Sequence, residues 1–249
     1  MNPTDALARI SIVLSRTSHP GNIGSAARAM KTMGLTRLVL VAPRFFPDPE
    51  AVTLASGATD ILEQARVVDT LDEALAGCSY SLAVSARARD LGPPPMLARA
   101  GAQDLYSQAL QSGEEVALVF GNETSGLSND ELQRCHGAVM IAANPDYSSL
   151  NLAAAVQVLA YELRTAAFQG LPPAPGRTTP FSSQPATHGE QEGFYEHLER
   201  VMVASGFLDP AQPRRLLPKL RRLFGRARLE KDEVSILRGI LSAVEDWRR

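Results

Sequence analysis

Three segments of the 249-residue chain bring together residue types that a plain scaffold seldom combines. The first, Thr17-Ser18-His19-Pro20-Gly21-Asn22-Ile23-Gly24-Ser25-Ala26-Ala27-Arg28, contains the pattern N-x-G-x-x-x-R from Asn22 to Arg28. Its Pro-Gly turn leads into a helical pattern that holds Arg28 about one and a half turns inside. A guanidinium there stays protonated at any working pH, and its rigid donors suit phosphate and ribose oxygens. The second segment, Gly121-Asn122-Glu123-Thr124-Ser125-Gly126-Leu127, sets a carboxylate in a glycine-flanked loop. The third runs from Ala142 to Asn151 and ends in Ser148-Ser149-Leu150-Asn151, just before the longest helical stretch. Each follows a strand pattern, and in open α/β sheets ligands gather beyond the carboxyl ends of strands. Taken singly, turn and cap duties account for these glycines, asparagines and serines. Three such segments together argue for a site.

Other chemistries lack their residues. The chain has no G-x-x-x-x-G-K-[ST], no G-x-G-x-x-G after its first strand and no G-x-S-x-G, which removes the P-loop, dinucleotide and α/β-hydrolase readings. The four histidines, His19, His136, His188 and His197, form no H-x₃-H pair and have no cysteine at zinc spacing, so no metal site is expected. His19 sits in a turn with no visible partner and reads as structural. Cys78 and Cys135 cannot build a disulfide framework and read as small core residues of a protein in a reducing compartment. No apolar run reaches membrane length and no secretory signal opens the chain, so a soluble, cytoplasmic protein is expected.

The elements that must position the three segments read as a layered α/β fold. Strand patterns lie at Ile10–Leu14, Arg37–Val41, Ser81–Ser85, Val116–Phe120 and Ala138–Ile141, each apolar on both faces as in a buried parallel sheet. Helical patterns lie at Ile23–Met33, Leu71–Ala76, Gln103–Gln111, Asn129–Cys135 and Leu150–Phe168, with capping boxes at Thr70/Glu73 and Ser128/Glu131. The alternation predicts a parallel sheet with helices on both faces. Residues 170–189 are rich in proline and polar residues and read as a linker, dividing a domain at 1–169 from a small helical domain at 190–249 with three helical patterns.

Charge follows the same division. Net charge is −2 overall, yet residues 1–170 hold 12 basic and 17 acidic residues while 171–249 hold 13 and 10. Between Pro210 and Leu229 the residues Arg214, Arg215, Lys219, Arg221, Arg222, Arg226 and Arg228 meet no acid. A basic helix of this kind is either a nucleic-acid contact or a solvated face of the bundle. Phe45 and Phe46 offer a second place for base stacking, although packing at the sheet edge explains them equally well.

Asn22–Arg28, Val119-Phe120-Gly121-Asn122-Glu123 through Leu127, and Ser148–Asn151 resemble the three motifs of the SPOUT (SpoU-type) RNA methyltransferases. Thr17–His19, Ala27–Lys31, Ser85–Arg87 and Ala142–Pro145 resemble a branch that methylates tRNA ribose. The resemblance is dense over about residues 9–168 and holds only in general plan beyond. It implies a trefoil knot in the C-terminal part of the sheet domain, a homodimer whose partner completes each site, and S-adenosylmethionine as cofactor. Carried over residue by residue, the cofactor would meet Val84, Ser85, Ala86, Gly121, Ile141, Ser148, Ser149 and Leu150. Arg28 would act on the ribose hydroxyl, with Asn22, Glu123, Ser149 and Asn151 as motif residues near the substrate. The implied reaction is 2′-O-methylation of tRNA at nucleotide 32 of the anticodon loop, on cytidine, uridine or both. A sulfonium donor needs no metal for in-line displacement, and Arg214, Arg215, Lys219, Arg221 and Arg222 would serve RNA binding. Ribosomal RNA as target, and an RNA-binding module without catalysis, are the alternatives.

Overall fold

The computed structural model describes residues 3–86, 94–168 and 183–247. Seven strands, β1 (Ile10–Ser15), β2 (Arg37–Val41), β3 (Arg66–Val68), β4 (Cys78–Val84), β5 (Pro95–Leu97), β6 (Glu115–Phe120) and β7 (Gly137–Met140), form one sheet in the order β3-β2-β1-β6-β4-β7-β5. Every pairing is parallel. Around it lie α1 (Pro3–Leu7), α2 (Pro20–Met33), α3 (Pro49–Ala55), α4 (Thr59–Glu63), α5 (Leu71–Leu75), α6 (Ala98–Ser112), α7 (Asn129–Gln133) and α8 (Leu152–Phe168). Three further helices follow: α9 (His188–Ser205), α10 (Leu216–Ala227) and α11 (Lys231–Trp247). None of the described helices is long and apolar enough to cross a membrane.

Side chains alternate across a strand, so each strand feeds two layers. Ile10, Ile12, Leu14, Leu38, Leu40, Leu82, Leu118 and Phe120 join the larger core with α2, α6 and α8. Val13, Val39, Val41, Ala83, Ala117 and Val119 face the other way and pack under Leu71, Leu75, Leu132 and Cys135. Both cysteines lie in that second layer, where burial pushes their thiols up to about 12. Two-sided burial is why the central strands read as continuous apolar runs. The edge strands β3 and β5 are short and partly exposed, and the sequence reading contained neither. It also lacked α3, whose Asp48 cap accepts from the Glu50 amide ahead of Pro49.

Glycines fix how closely α2 lies on α3. A β-carbon on Gly24 would stand 2.1 Å from the carbonyl oxygen of Ala51, so only hydrogen fits there. The capping box at Ser128/Glu131 is complete. At Thr70 the hydroxyl accepts from the Glu73 amide, while the Glu73 carboxylate takes the amide of Asp69.

Helices α9, α10 and α11 close on a small core of their own, made by Phe194, Tyr195, Leu229 and Val234 with Phe224, Leu237 and Leu241. A capping box at Thr187/Glu190 starts α9. Residues 170–182 of the Pro-rich stretch lie outside the described residues, as does Arg87. The remainder, 183–189, packs with the helices: the Ala186 amide donates to Leu229 O and the Lys231 amide to Gln184 O. This unit sits against α5, α7 and β4 through polar contacts. Asp72 accepts from Arg134 and lies 3.0 Å from Nε2 of buried His188, and Arg228 reaches Tyr80 and Asp104. The Ser81 amide donates to His136 Nδ1, whose Nε2 faces the Gln191 side-chain amide at 2.8 Å.

Candidate functional site

Arg16, the residue after β1, adopts φ 53° and turns the chain into Thr17–His19. Non-glycine residues keep such conformations where surrounding contacts over-determine them, and functional loops are a frequent place. The Thr17 hydroxyl is buried and has no hydrogen-bond partner among the described residues. His19 precedes α2 without capping it by its side chain, and Pro20 occupies the first turn.

The loop after β6 closes on itself. Asn122 Oδ1 accepts from the Thr124 and Ser125 amides, and the Gly126 amide returns to Asn122 O. A β-carbon on Gly121 would stand 2.1 Å from Gly126 C. Glycine at 121 is therefore demanded by this turn.

The turn aims Glu123 at the start of α2. Its Oε2 accepts from the Ser18 amide at 3.0 Å and the Ser18 hydroxyl at 2.8 Å, and its Oε1 accepts from the Asn22 side chain at 2.9 Å and the His19 amide at 3.3 Å. Burial by itself would raise this carboxyl, but the hydrogen bonds from Asn22 and Ser18 outweigh it and bring the pKa down to about 2. The sequence reading gave Ser18 no role, although it lay within a segment singled out as unusual.

From Asn22 the chain of bonds runs on to the third segment. Asn22 Oδ1 accepts from Asn151 Nδ2 at 2.8 Å, and Asn151 Oδ1 caps α8 by accepting from the Ala153 and Ala154 amides. Three loops distant in sequence are thus tied as Asn151 to Asn22 to Glu123. The direction is set from both ends, by the cap amides at one and by a carboxylate that can only accept at the other. Arg28 stands outside this chain, exposed on α2, with no ion pair among the described residues. Ser149 is exposed in the loop before α8.

The remaining residues cluster at adjacent strand ends. Val84 pairs in register with Val139, and the Ser85 amide donates to Val139 O. Val84 and Ile141 both border the larger core as half-buried side chains, and Leu150 is 36% exposed before α8. Ala86 and Ser148 lie in the neighbouring loops and Gly121 directly follows β6, the strand between β1 and β4. Arg214 and Arg215 just before α10 and Lys219 and Arg222 on it are exposed, whereas Arg221 is turned inward. It holds Glu192 with two bonds of 2.5 and 2.7 Å and lies over the Tyr195 ring.

Residues 9–161 match the model of the SpoU rRNA methylase family, and with that span the chain belongs to this family. Residues 189–249 match the C-terminal domain of tRNA methyltransferase TrmJ. The tRNA (cytidine/uridine/adenosine-2′-O-)-methyltransferase TrmJ of Pseudomonas aeruginosa is 53% identical over 98% of this chain and 96% of its own. The tRNA (cytidine/uridine-2′-O-)-methyltransferase TrmJ of Cronobacter sakazakii is 52% identical over 97% of this chain and 98% of its own. The crystal structure of TrmJ from Z. mobilis ZM4 superposes with a TM-score of 0.81 at 34% identity, covering 96% of this chain and all of that one. Within the SpoU family, the chain belongs with the TrmJ proteins.

Proposed function

We propose that the protein transfers a methyl group from S-adenosylmethionine to a ribose 2′-hydroxyl of tRNA, at nucleotide 32 of the anticodon loop, on cytidine, uridine or both. The observation that carries this reading is the Asn151–Asn22–Glu123 chain, which joins the three motif segments at the carboxyl ends of the strands in a protein about half identical to TrmJ enzymes along its length. The family model is titled for rRNA, but the full-length relatives and the C-terminal match favour tRNA.

The strand ends fit the cofactor. Val84, Ile141 and Leu150 offer partly open apolar side chains beside the small residues Ser85, Ala86 and Ser148, as an adenine needs. These residues, with Ser149 and the backbone at Gly121, would hold it, and when bound it supplies an electrophilic methyl group on a sulfonium. Arg28 is left to orient ribose and phosphate and to balance charge developing on the attacking oxygen, whose proton passes to a substrate phosphate or to water. Glu123 is a clamp and no base: its lone pairs are engaged, and a carboxyl near 2 is a weak proton acceptor at neutral pH. Holding the 2′-hydroxyl in line with the methyl carbon is the main task, and alignment can contribute several kcal/mol.

A methyltransferase domain at 1–169 is followed by an RNA-binding domain that extends to 249 and includes the packed residues 183–189, so the linker expected at 170–189 is shorter than that span. Arg214, Arg215, Lys219 and Arg222 face RNA and Arg221 braces the helix. The reading includes a homodimer with sites at the interface, and action in the cytoplasm. It also includes the trefoil knot, which is supported by β7, the last strand, lying between β4 and β5. Labelled cofactor incubated with tRNA and with rRNA tests the proposal, Arg28→Ala serving as control. Incorporation into rRNA alone, or into neither by a folded protein, would reject it.

A further inference from the structure

Between α9 and α10 the surface folds into a cavity of about 420 Å³ whose lining includes Phe207, Leu208, Asp209, Arg214, Arg215 and Lys219. That volume lies in the range of small-ligand sites. The lining is unusual in two respects. Phe207 is 72% exposed, yet it is no loose end: α9 stops at Gly206 with φ 77°, and Leu208 next to it is buried and returns its amide to Met202 O. With both neighbours fixed, the aromatic ring is held out at the cavity.

The cations are the second peculiarity. Elsewhere in this unit Arg200 pairs with Glu245, Arg221 with Glu192, and Arg228 with Asp104, while Arg222, Arg226 and Arg238 have no ion pair among the described residues. What sets the cavity apart is that its cations gather beside an exposed ring. Arg214, Arg215 and Lys219 have no ion pair among the described residues, although all three line one cavity. The single acid there, Asp209, uses Oδ1 to accept the Ala211 amide and so shapes the turn. Arg214 holds φ 49°, a conformation costly for a side-chain-bearing residue and kept here at the cavity wall. An exposed ring beside unpaired cations matches a base and its phosphates, since stacking accepts any base and guanidinium and ammonium groups take the charge.

We propose that this cavity is a pocket for one unstacked nucleotide of the RNA ligand, Phe207 stacking on the base while Arg214, Arg215 and Lys219 hold its phosphates. The inference rests on the RNA reading above and goes beyond it by naming an aromatic contact that the basic run alone does not supply. Charge alone would favour a duplex or an inorganic polyanion as much as a single strand; the ring discriminates.

The test uses the full-length protein and three probes: a short unstructured RNA oligonucleotide, an RNA duplex of equal length, and inorganic polyphosphate. Affinity is read by fluorescence anisotropy or competition across a salt series. Phe207→Ala weakens the oligonucleotide about 10-fold with the salt slope unchanged, leaves polyphosphate untouched, and is restored by Phe207→Trp. Arg214→Ala and Lys219→Ala each lower the single-strand salt slope by about 0.7. Thermal unfolding of Phe207→Ala should match the parent, because the ring is exposed. Equal oligonucleotide affinity of parent and Phe207→Ala overturns the pocket, as does a loss that Phe207→Trp fails to restore. Methyl transfer at saturating tRNA separates the two claims: its absence in the parent rejects the proposed function, while the binding comparison still decides the pocket.

Discussion

Replacing Glu123 by Gln changes one atom of the site and sets the hydrogen-bond chain against itself. The carboxylate receives four bonds, from the Ser18 amide and hydroxyl, the His19 amide and the Asn22 side chain. A glutamine keeps one accepting oxygen, which can satisfy Ser18. Its amide nitrogen then meets the Asn22 nitrogen, donor against donor. Asn22 cannot relieve this by flipping, because its oxygen accepts from Asn151 Nδ2, and Asn151 is fixed by capping Ala153 and Ala154. At least one bond to a charged acceptor is lost, worth about 1.5–3 kcal/mol, which solvent access at this half-buried site reduces to about 1–2 kcal/mol. For a chain of this size that corresponds to a fall in melting temperature of about 2–8 °C at pH 7. The pH dependence gives the sharper signature. The Glu123 pKa is lowered to about 2 in the fold, so its contribution is whole above the unfolded carboxyl range and fades as pH falls toward about 2. Melting curves of parent and variant should therefore converge between about pH 4 and pH 2. A difference that stays constant over that interval, or no difference at pH 7, would refute the polarised chain.

Gly24→Ala should destabilise by about 1–3 kcal/mol through overpacking, despite alanine's higher helix propensity, because its methyl meets Ala51 O at 2.1 Å; the urea midpoint measures this. Thr17→Val should leave stability unchanged or raised, since the buried hydroxyl it removes has no partner among the described residues; calorimetry checks it. Burial, with the nearby charges of His188 and Arg228, lowers His136 to about 3, so between about pH 6.5 and 3 the unfolded chain takes up a proton that the folded chain refuses. Stability should fall with pH across that window by up to about 1.4 kcal/mol per unit, and His136→Asn should flatten the slope in chemical denaturation.

The central strands could be read because burial on both faces leaves nothing but apolar residues. β3 and β5 could not: Arg66–Val68 and Pro95–Leu97 are too short and too exposed at the sheet edges to make a pattern. Pro20-Gly21 reads as a turn ahead of a helix at Ile23, yet α2 begins at Pro20, since proline is tolerated in a first helical turn; Arg28 therefore lies about two turns inside. Asn22, Glu123 and Asn151 stood out by motif, but the bonds among them join residues about a hundred positions apart and have no local signature. The same holds around α10. Arg214 and Arg221 look alike in sequence, and only packing shows Arg221 occupied by Glu192 on α9 while Arg214 faces a cavity.

We propose that the exposed Arg28 and the clamped loops around Asn22 direct ribose methylation of tRNA. Its most direct measurement is nucleotide-resolved mass spectrometry of unmodified tRNA after incubation with the protein and S-adenosylmethionine. One added methyl group is expected on the 2′-oxygen of nucleotide 32, absent with Arg28→Ala. A methyl group on a base, at another nucleotide, or undiminished by Arg28→Ala would contradict it.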